Sequence, residues 1–163
     1  MRTPANVAGH PIHPMLVTLP IGLWVFSFVC DLIFVFGSGA PQWNVVALYT
    51  MGGGIVGALI AAVPGLIDLL SLPAELRKTA LAHMAINLSI VAIYVVNFWL
   101  RLQTPAASGL VWLSALTVAM LLVSGWLGGK MVYLSGVAVS AGDPTQERRT
   151  SKHSVGDAHP AGE

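Results

Sequence analysis

Charge is what this chain has least of. Asp, Glu, Lys and Arg make up 9% of its 163 residues, where a soluble domain carries roughly 25%. The few basic residues form no stripe and the net charge is +1, so there is no electrostatic footprint for nucleic acid. Cysteine occurs once, at Cys30. A single thiol excludes an internal disulfide, a Cys-x-x-Cys redox pair and Cys-x-x-Cys-His haem attachment, and it leaves the redox compartment unread. There is no His-Glu-x-x-His pair and no nucleophile–base motif. The run Gly52-Gly53-Gly54 lacks the following Lys and Ser/Thr that a phosphate loop needs. No internal or inverted repeat is visible in the letters.

What the chain has instead is long apolar runs: 55% of it is hydrophobic. Four segments are each long enough to cross a hydrocarbon core of about 30 Å, which takes about 20 residues of helix. They run from Leu16 to Phe36, Trp43 to Leu70, Thr79 to Leu100 and Gly109 to Leu134. The first could imitate a signal peptide. Its 21 residues exceed a signal core of about 7–15, Asp31 interrupts it, and Pro41 follows directly on Ser38-Gly39-Ala40. The expected architecture is all-α: a four-transmembrane-helix bundle with short loops over residues 1–140, and a polar, disordered tail over 141–163. Pro20 marks either a kink in the first helix or its first turn after Thr18. Gly53, Gly57 and Ala61, like Gly54, Ala58 and Ala62, recur every four residues, a spacing that lets helices pack closely in lipid. Trp24, Trp43, Trp99, Trp112 and Trp126 fall mostly near the interfaces, as an aromatic belt would.

With four spans, both termini and the loop between segments two and three share a side. That side holds Arg2, Arg77, Lys78, Lys130, Arg148, Arg149 and Lys152, and the other holds only Arg101. Seven against one implies cytoplasmic termini in a bacterial inner membrane.

Ionisable groups are costly inside such segments and are functional candidates by default. His10 and His13 enter segment one from the cytoplasmic side. Asp68 ends segment two. His83 is about a turn into segment three, with Asn87 one turn deeper on the same face, and Lys130 and Tyr133 close segment four. If they converge, His10, His13, Asp68 and His83 form a ligand set for a transition metal. Two of them, His13 and His83, could instead hold a haem axially. The competing reading makes these residues caps and interfacial anchors. Asp31 lies about 22 Å along its helix from Leu16. There it either bonds Asn97 or Tyr94 as a neutral, desolvated acid or caps a shorter helix at the outer surface.

Gly9-His10-Pro11-Ile12-His13-Pro14-Met15-Leu16-Val17, Pro20-Ile21-Gly22 and Asp31 resemble the opening of a bacterial membrane family catalogued as domain of unknown function 2231. Pro64-Gly65-Leu66-Ile67-Asp68 and His83 with Asn87 resemble its second and third helices. Ser124-Gly125-Trp126-Leu127-Gly128-Gly129-Lys130-Met131-Val132-Tyr133 resembles its fourth. The resemblance spans about residues 9–139 and implies a four-helix membrane domain, without bringing an activity. The family's domain occurs in some proteins beside Rieske iron–sulfur or cytochrome-type modules, which points to respiratory redox work. In the family that it resembles, an acidic residue commonly occupies the position of Lys130 and a histidine commonly that of Ser135. Their absence here weakens a metal or haem site and leaves room for a Lys130–Asp68 ion pair.

Three functions follow as expectations. The first is an accessory or small-cofactor-binding subunit of a membrane redox assembly, without enzymatic activity of its own. The second is a haem b or metal-binding electron carrier using His13 and His83. The third is a small transporter or ion-conducting unit using Asp68, His83 and Asp31, which with four spans would have to act as a homo-oligomer. The lipid bilayer is a partner in all three.

Overall fold

A computed structural model describes residues 3–104 and 108–138 of the chain; the tail expected over 141–163 lies outside the described residues. The element order is β1 (Asn6–Val7), β2 (His10–Pro11), α1 (Ile12–Leu16), α2 (Thr18–Phe36), α3 (Pro41–Leu70), α4 (Ala74–Gln103), a 3₁₀ turn (Ser108–Leu110) and α5 (Val111–Tyr133). Four stretches are long and apolar enough to cross a membrane: Ile12–Phe36, Pro41–Leu70, Ala74–Gln103 and Val111–Tyr133. The chain is a four-helix membrane protein.

Prolines set several of the boundaries. Pro20 has no N–H to give the Leu16 carbonyl, and its ring crowds that carbonyl. The first span accordingly breaks at Val17, and Pro20 lies in the first turn of α2. Pro41 starts α3 at a position where a missing N–H costs nothing. Pro73 precedes α4, and Glu75 lies in its first turn, at the positive end of the helix. The α4 helix runs further than its apolar core, from Ala74 to Gln103. Arg101 therefore belongs to the helix and not to the following loop.

α2 packs on α3 and α5, and α4 packs on α5 and α3, so the four long helices close a ring. Trp24, Met51, Ile90, Tyr94 and Leu121 fill its middle. Leu69, Leu72 and Ala80, backed by Met84, Met131 and Val137, close the end where the N-terminal arm lies. Trp24 is thus core and no part of an aromatic belt: it is 3% exposed and stacks on Tyr94 with ring centroids 4.4 Å apart. Along the α2–α3 seam the buried small residues are Ala47, Gly54, Gly57 and Ala61. Gly53 is at the rim, where a Cβ would meet only the Leu23 side chain.

The structure also contains a repeat that the letters hide. The buried positions Pro20, Trp24, Ser27 and Asp31 of α2 recur 70 residues later as Ile90, Tyr94, Asn97 and Arg101 of α4. Met51, Gly54 and Ala61 of α3 recur 63 residues later as Ser114, Thr117 and Ser124 of α5. The hydrogen bonds repeat with the same offsets. Ser27 Oγ donates to the Ala47 carbonyl, and Asn97 Nδ2 donates to the Leu110 carbonyl. Two helical hairpins of the same sense therefore pair about an approximate two-fold axis parallel to the helices. Trp24 meets Tyr94, and Asp31 meets Arg101, across that axis.

Candidate functional site

The polar side chains fall at the two ends of the axis. At the end far from the arm, Arg101 Nη1 donates to Asp31 Oδ1 at 2.5 Å and Nη2 donates to Asp31 Oδ2 at 2.7 Å. Ser114 Oγ donates to Asp31 Oδ2 at 2.8 Å, and Arg101 Nε donates to Asn97 Oδ1 at 3.0 Å. Asn97 Nδ2 donates back to Ser114 Oγ at 3.1 Å. Asp31, Asn97, Arg101 and Ser114 are all buried. Asp31 is therefore a charged, bidentate partner of Arg101, neither a neutral acid bonded directly to Asn97 or Tyr94 nor a cap exposed at the surface. The two groups hold equivalent positions on α2 and α4, Arg101 in the last turn of its helix, and a buried carboxylate with three donors on its oxygens is held, not available. This network reads as structural.

The arm end holds the histidines. His13 Nδ1 is 2.8 Å from the Ala61 carbonyl oxygen, and His83 Nδ1 is 3.0 Å from the Ser124 carbonyl oxygen. A carbonyl only accepts, so Nδ1 carries the proton in both rings. His13 and His83 are themselves 70 residues apart, and Ala61 and Ser124 are 63 apart, so the two imidazoles are equivalent in the repeat. Each lies against a glycine one turn beyond its carbonyl. A Cβ on Gly65 would be 2.7 Å from His13 Nδ1, and a Cβ on Gly128 would be 3.4 Å from His83 Cε1. The Nε2 atoms of the two rings differ: that of His83 is 3.1 Å from Asn87 Nδ2, which also donates to the His83 carbonyl at 2.9 Å.

The other expected members of the cluster are elsewhere. His10 is exposed in the β1–β2 hairpin, its Nδ1 3.1 Å from the Ala8 carbonyl oxygen. Asp68 Oδ1 accepts the Ala5 backbone N–H at 2.9 Å. Lys130 is exposed, and the ion pair among the described residues is Arg101 with Asp31, not Lys130 with Asp68. A long cation at the last turn of α5 reaches water at little cost, and the arm's amide already serves the Asp68 carboxylate. Tyr133 is 87% exposed. Among the described residues no three His, Cys, Asp or Glu gather as a metal ligand set, so the four-ligand reading with His10, His13, Asp68 and His83 fails on geometry.

Sequence reasoning did not find Arg101, Ser114, Ser124 or the Trp24–Tyr94 stack as parts of the polar and aromatic axis. One signal was present. His13 precedes Asp31 by the same interval as His83 precedes Arg101, with Trp24 and Tyr94 at matched places between.

Compared with known proteins, residues 9–141 match a family described as predicted membrane protein (DUF2231). No curated protein and no solved structure is matched.

Proposed function

The chain belongs to the DUF2231 family of predicted membrane proteins, and from that membership and the arm-end geometry we propose that it is a cofactor-binding subunit of a membrane redox assembly, with His13 and His83 as paired imidazole ligands. One observation carries the reading: two equivalent histidines, each with Nδ1–H tied to a helix carbonyl and its ring against a glycine. Ligating histidines characteristically donate their second ring nitrogen to a carbonyl or carboxylate, which fixes the ring and makes Nε2 the better base. Two imidazoles without a third ligand suit haem iron, which takes two axial ligands. They suit zinc poorly, since it wants four. The cofactor of choice is therefore haem b. The Asn87 amide at His83 Nε2 would yield on ligation and exchange one neutral hydrogen bond for a coordinate bond.

The membrane orientation belongs to the same proposal. Arg101 was the lone basic residue assigned to the outer side, and it is neutralised by Asp31. The far-end loops hold no other Lys or Arg, so the asymmetry favours a cytoplasmic arm end in a bacterial inner membrane. The site would then face the cytoplasm.

The test is optical. Purified full-length protein titrated with haem b should develop the Soret and sharp α and β bands of a low-spin, bis-imidazole haem. His13→Ala and His83→Ala should each lose the low-spin spectrum. A protein that takes up no haem, or keeps that spectrum without either histidine, refutes the reading.

A further inference from the structure

The repeat makes the two imidazoles equivalent, but the elements that carry them are not. His83 lies inside the continuous helix Ala74–Gln103, with Asn87 and Ser124 on its ring. His13 lies on α1, five residues long, separated from α2 at Val17 and preceded by the strap of residues 3–11. The strap turns back on itself through Ala8 and Gly9, both at positive φ, and its Ala5 carbonyl accepts the Ile12 N–H at 3.0 Å. It meets α3 at Ala5 and leaves an open groove beside that contact. The groove, of about 560 Å³, is lined by Pro4, Ala5, Ile12, Leu16, Val63 and Ile67 among others. What fastens the strap is the buried bond from the Ala5 N–H to Asp68 Oδ1, 2.9 Å long, with Thr3 and Ala5 tucked in on either side of Pro4. Asp68 is itself 8% exposed. In the second hairpin the equivalent of Asp68 is Met131, and no strap precedes His83.

We infer that Asp68 is a positioning residue for the His13 half of the paired-imidazole site. Its carboxylate holds the strap by the Ala5 amide, and the strap holds α1, so that His13 keeps its Nδ1 on Ala61 and its ring on Gly65. A hydrogen bond to a charged acceptor is about twice as strong as a neutral one, which suits the bond that ties the strap to α3. Releasing it frees His13 while leaving His83 in place. The inference rests on the reading of His13 and His83 as ligands, but it makes a claim about His13 that needs no cofactor.

The experiment is therefore run first on cofactor-free full-length protein in detergent. Diethyl pyrocarbonate modification of His13 and His83 is followed by mass spectrometry. In Asp68→Ala, His13 should modify about tenfold faster and His83 at the unchanged rate. Asp68→Asn, whose amide oxygen still accepts but carries no charge, should modify at a rate between those of wild type and Asp68→Ala. Ala5→Pro removes the donor and leaves Asp68 in place, and should copy Asp68→Ala. Unaltered His13 reactivity in Asp68→Ala, or equal acceleration of both histidines, overturns the inference. Haem b titration of the same variants then reads the ligand role separately. Asp68→Ala should give a five-coordinate, high-spin spectrum that free imidazole returns to low-spin. If wild type takes up no haem while the His13 reactivity follows the pattern above, the cofactor reading falls and the positioning of His13 by Asp68 stands.

Discussion

Replacing Arg101 by Met keeps much of the side-chain volume and removes both donors that reach the Asp31 oxygens. Asp31, 3% exposed, is left with Ser114 Oγ alone. Breaking a buried pair in this way costs about 3–5 kcal/mol, because the surviving charge stays desolvated. Asp31→Leu should cost a similar amount for the mirror reason, with Arg101 left only its contacts to Asn97 and Ser114. Asp31→Leu combined with Arg101→Met removes both charges and should recover most of the loss, giving a coupling of about 3 kcal/mol between the sites. Ser114→Ala removes a neutral donor. Its acceptor is the Asp31 carboxylate, so the loss should be that of a hydrogen bond to a charged group, about 1.5–3 kcal/mol, still below the cost of breaking the ion pair. The approximate two-fold adds a sharper variant. Asp31→Arg with Arg101→Asp restores opposite charges at equivalent positions, but Met51 stands where Ser114 served and Ser27 where Asn97 did. The exchanged pair should be more stable than either single variant and less stable than wild type. Unfolding in mixed micelles of denaturing and mild detergent, followed by circular dichroism, measures all five variants. Additivity of the two single losses within about 0.5 kcal/mol would refute the buried-pair reasoning.

Two further outcomes follow from the same coordinates. Gly54→Ala should destabilise the bundle by about 1–3 kcal/mol in that assay, because its Cβ would overlap the Trp24 indole, which is held by Tyr94 and by its Nε1 bond to the Met51 carbonyl; stability equal to wild type would mean that the α2–α3 seam is looser than described. Reporter fusions after residue 163 and within the loop at Thr104 should localise to opposite sides of the membrane, with the terminal fusion cytoplasmic; the reverse result turns the histidine end outward.

How legible was this molecule in its letters? Its spans were, because hydrocarbon imposes a length and a composition that twenty residues in a row reveal. Segment ends were less so. Hydropathy stops at a charge, whereas a helix stops at a lost hydrogen bond, and so Leu100 looked like the last residue of a helix that runs on to Gln103. That last turn carries Arg101, and with it the pairing of Asp31 was lost. His13, Asp68 and His83 were placed at one membrane face by depth alone. Depth says nothing of azimuth, however, and Lys130 at the same depth points away while Asp68 turns to a backbone amide. The strap was invisible as a structural element, since its partner is an N–H that every residue but proline offers.

The hidden repeat explains its own concealment. Charged residues that face each other across a two-fold axis in a low-dielectric interior cannot be alike. Two carboxylates or two guanidinium groups at the places of Asp31 and Arg101 would face each other unpaired in a low-dielectric interior. Two indoles would crowd where Trp24 and Tyr94 stack, and the donors of Ser27 and Asn97 serve carbonyls that their own hairpins supply. Each of these pairs is unlike in this chain, and comparison of the two halves letter by letter shows little. His13 and His83 are the exception. Both stay histidine, both keep the Nδ1–carbonyl bond and both keep the glycine. A neutral imidazole gains nothing from facing another imidazole directly. It does gain when both face one object that wants the same donor atom from each side. Sameness at the arm end, where the other buried pairs on the axis are unlike, is what a shared two-sided ligand would demand, and it is the reason the haem titration is the first experiment to perform.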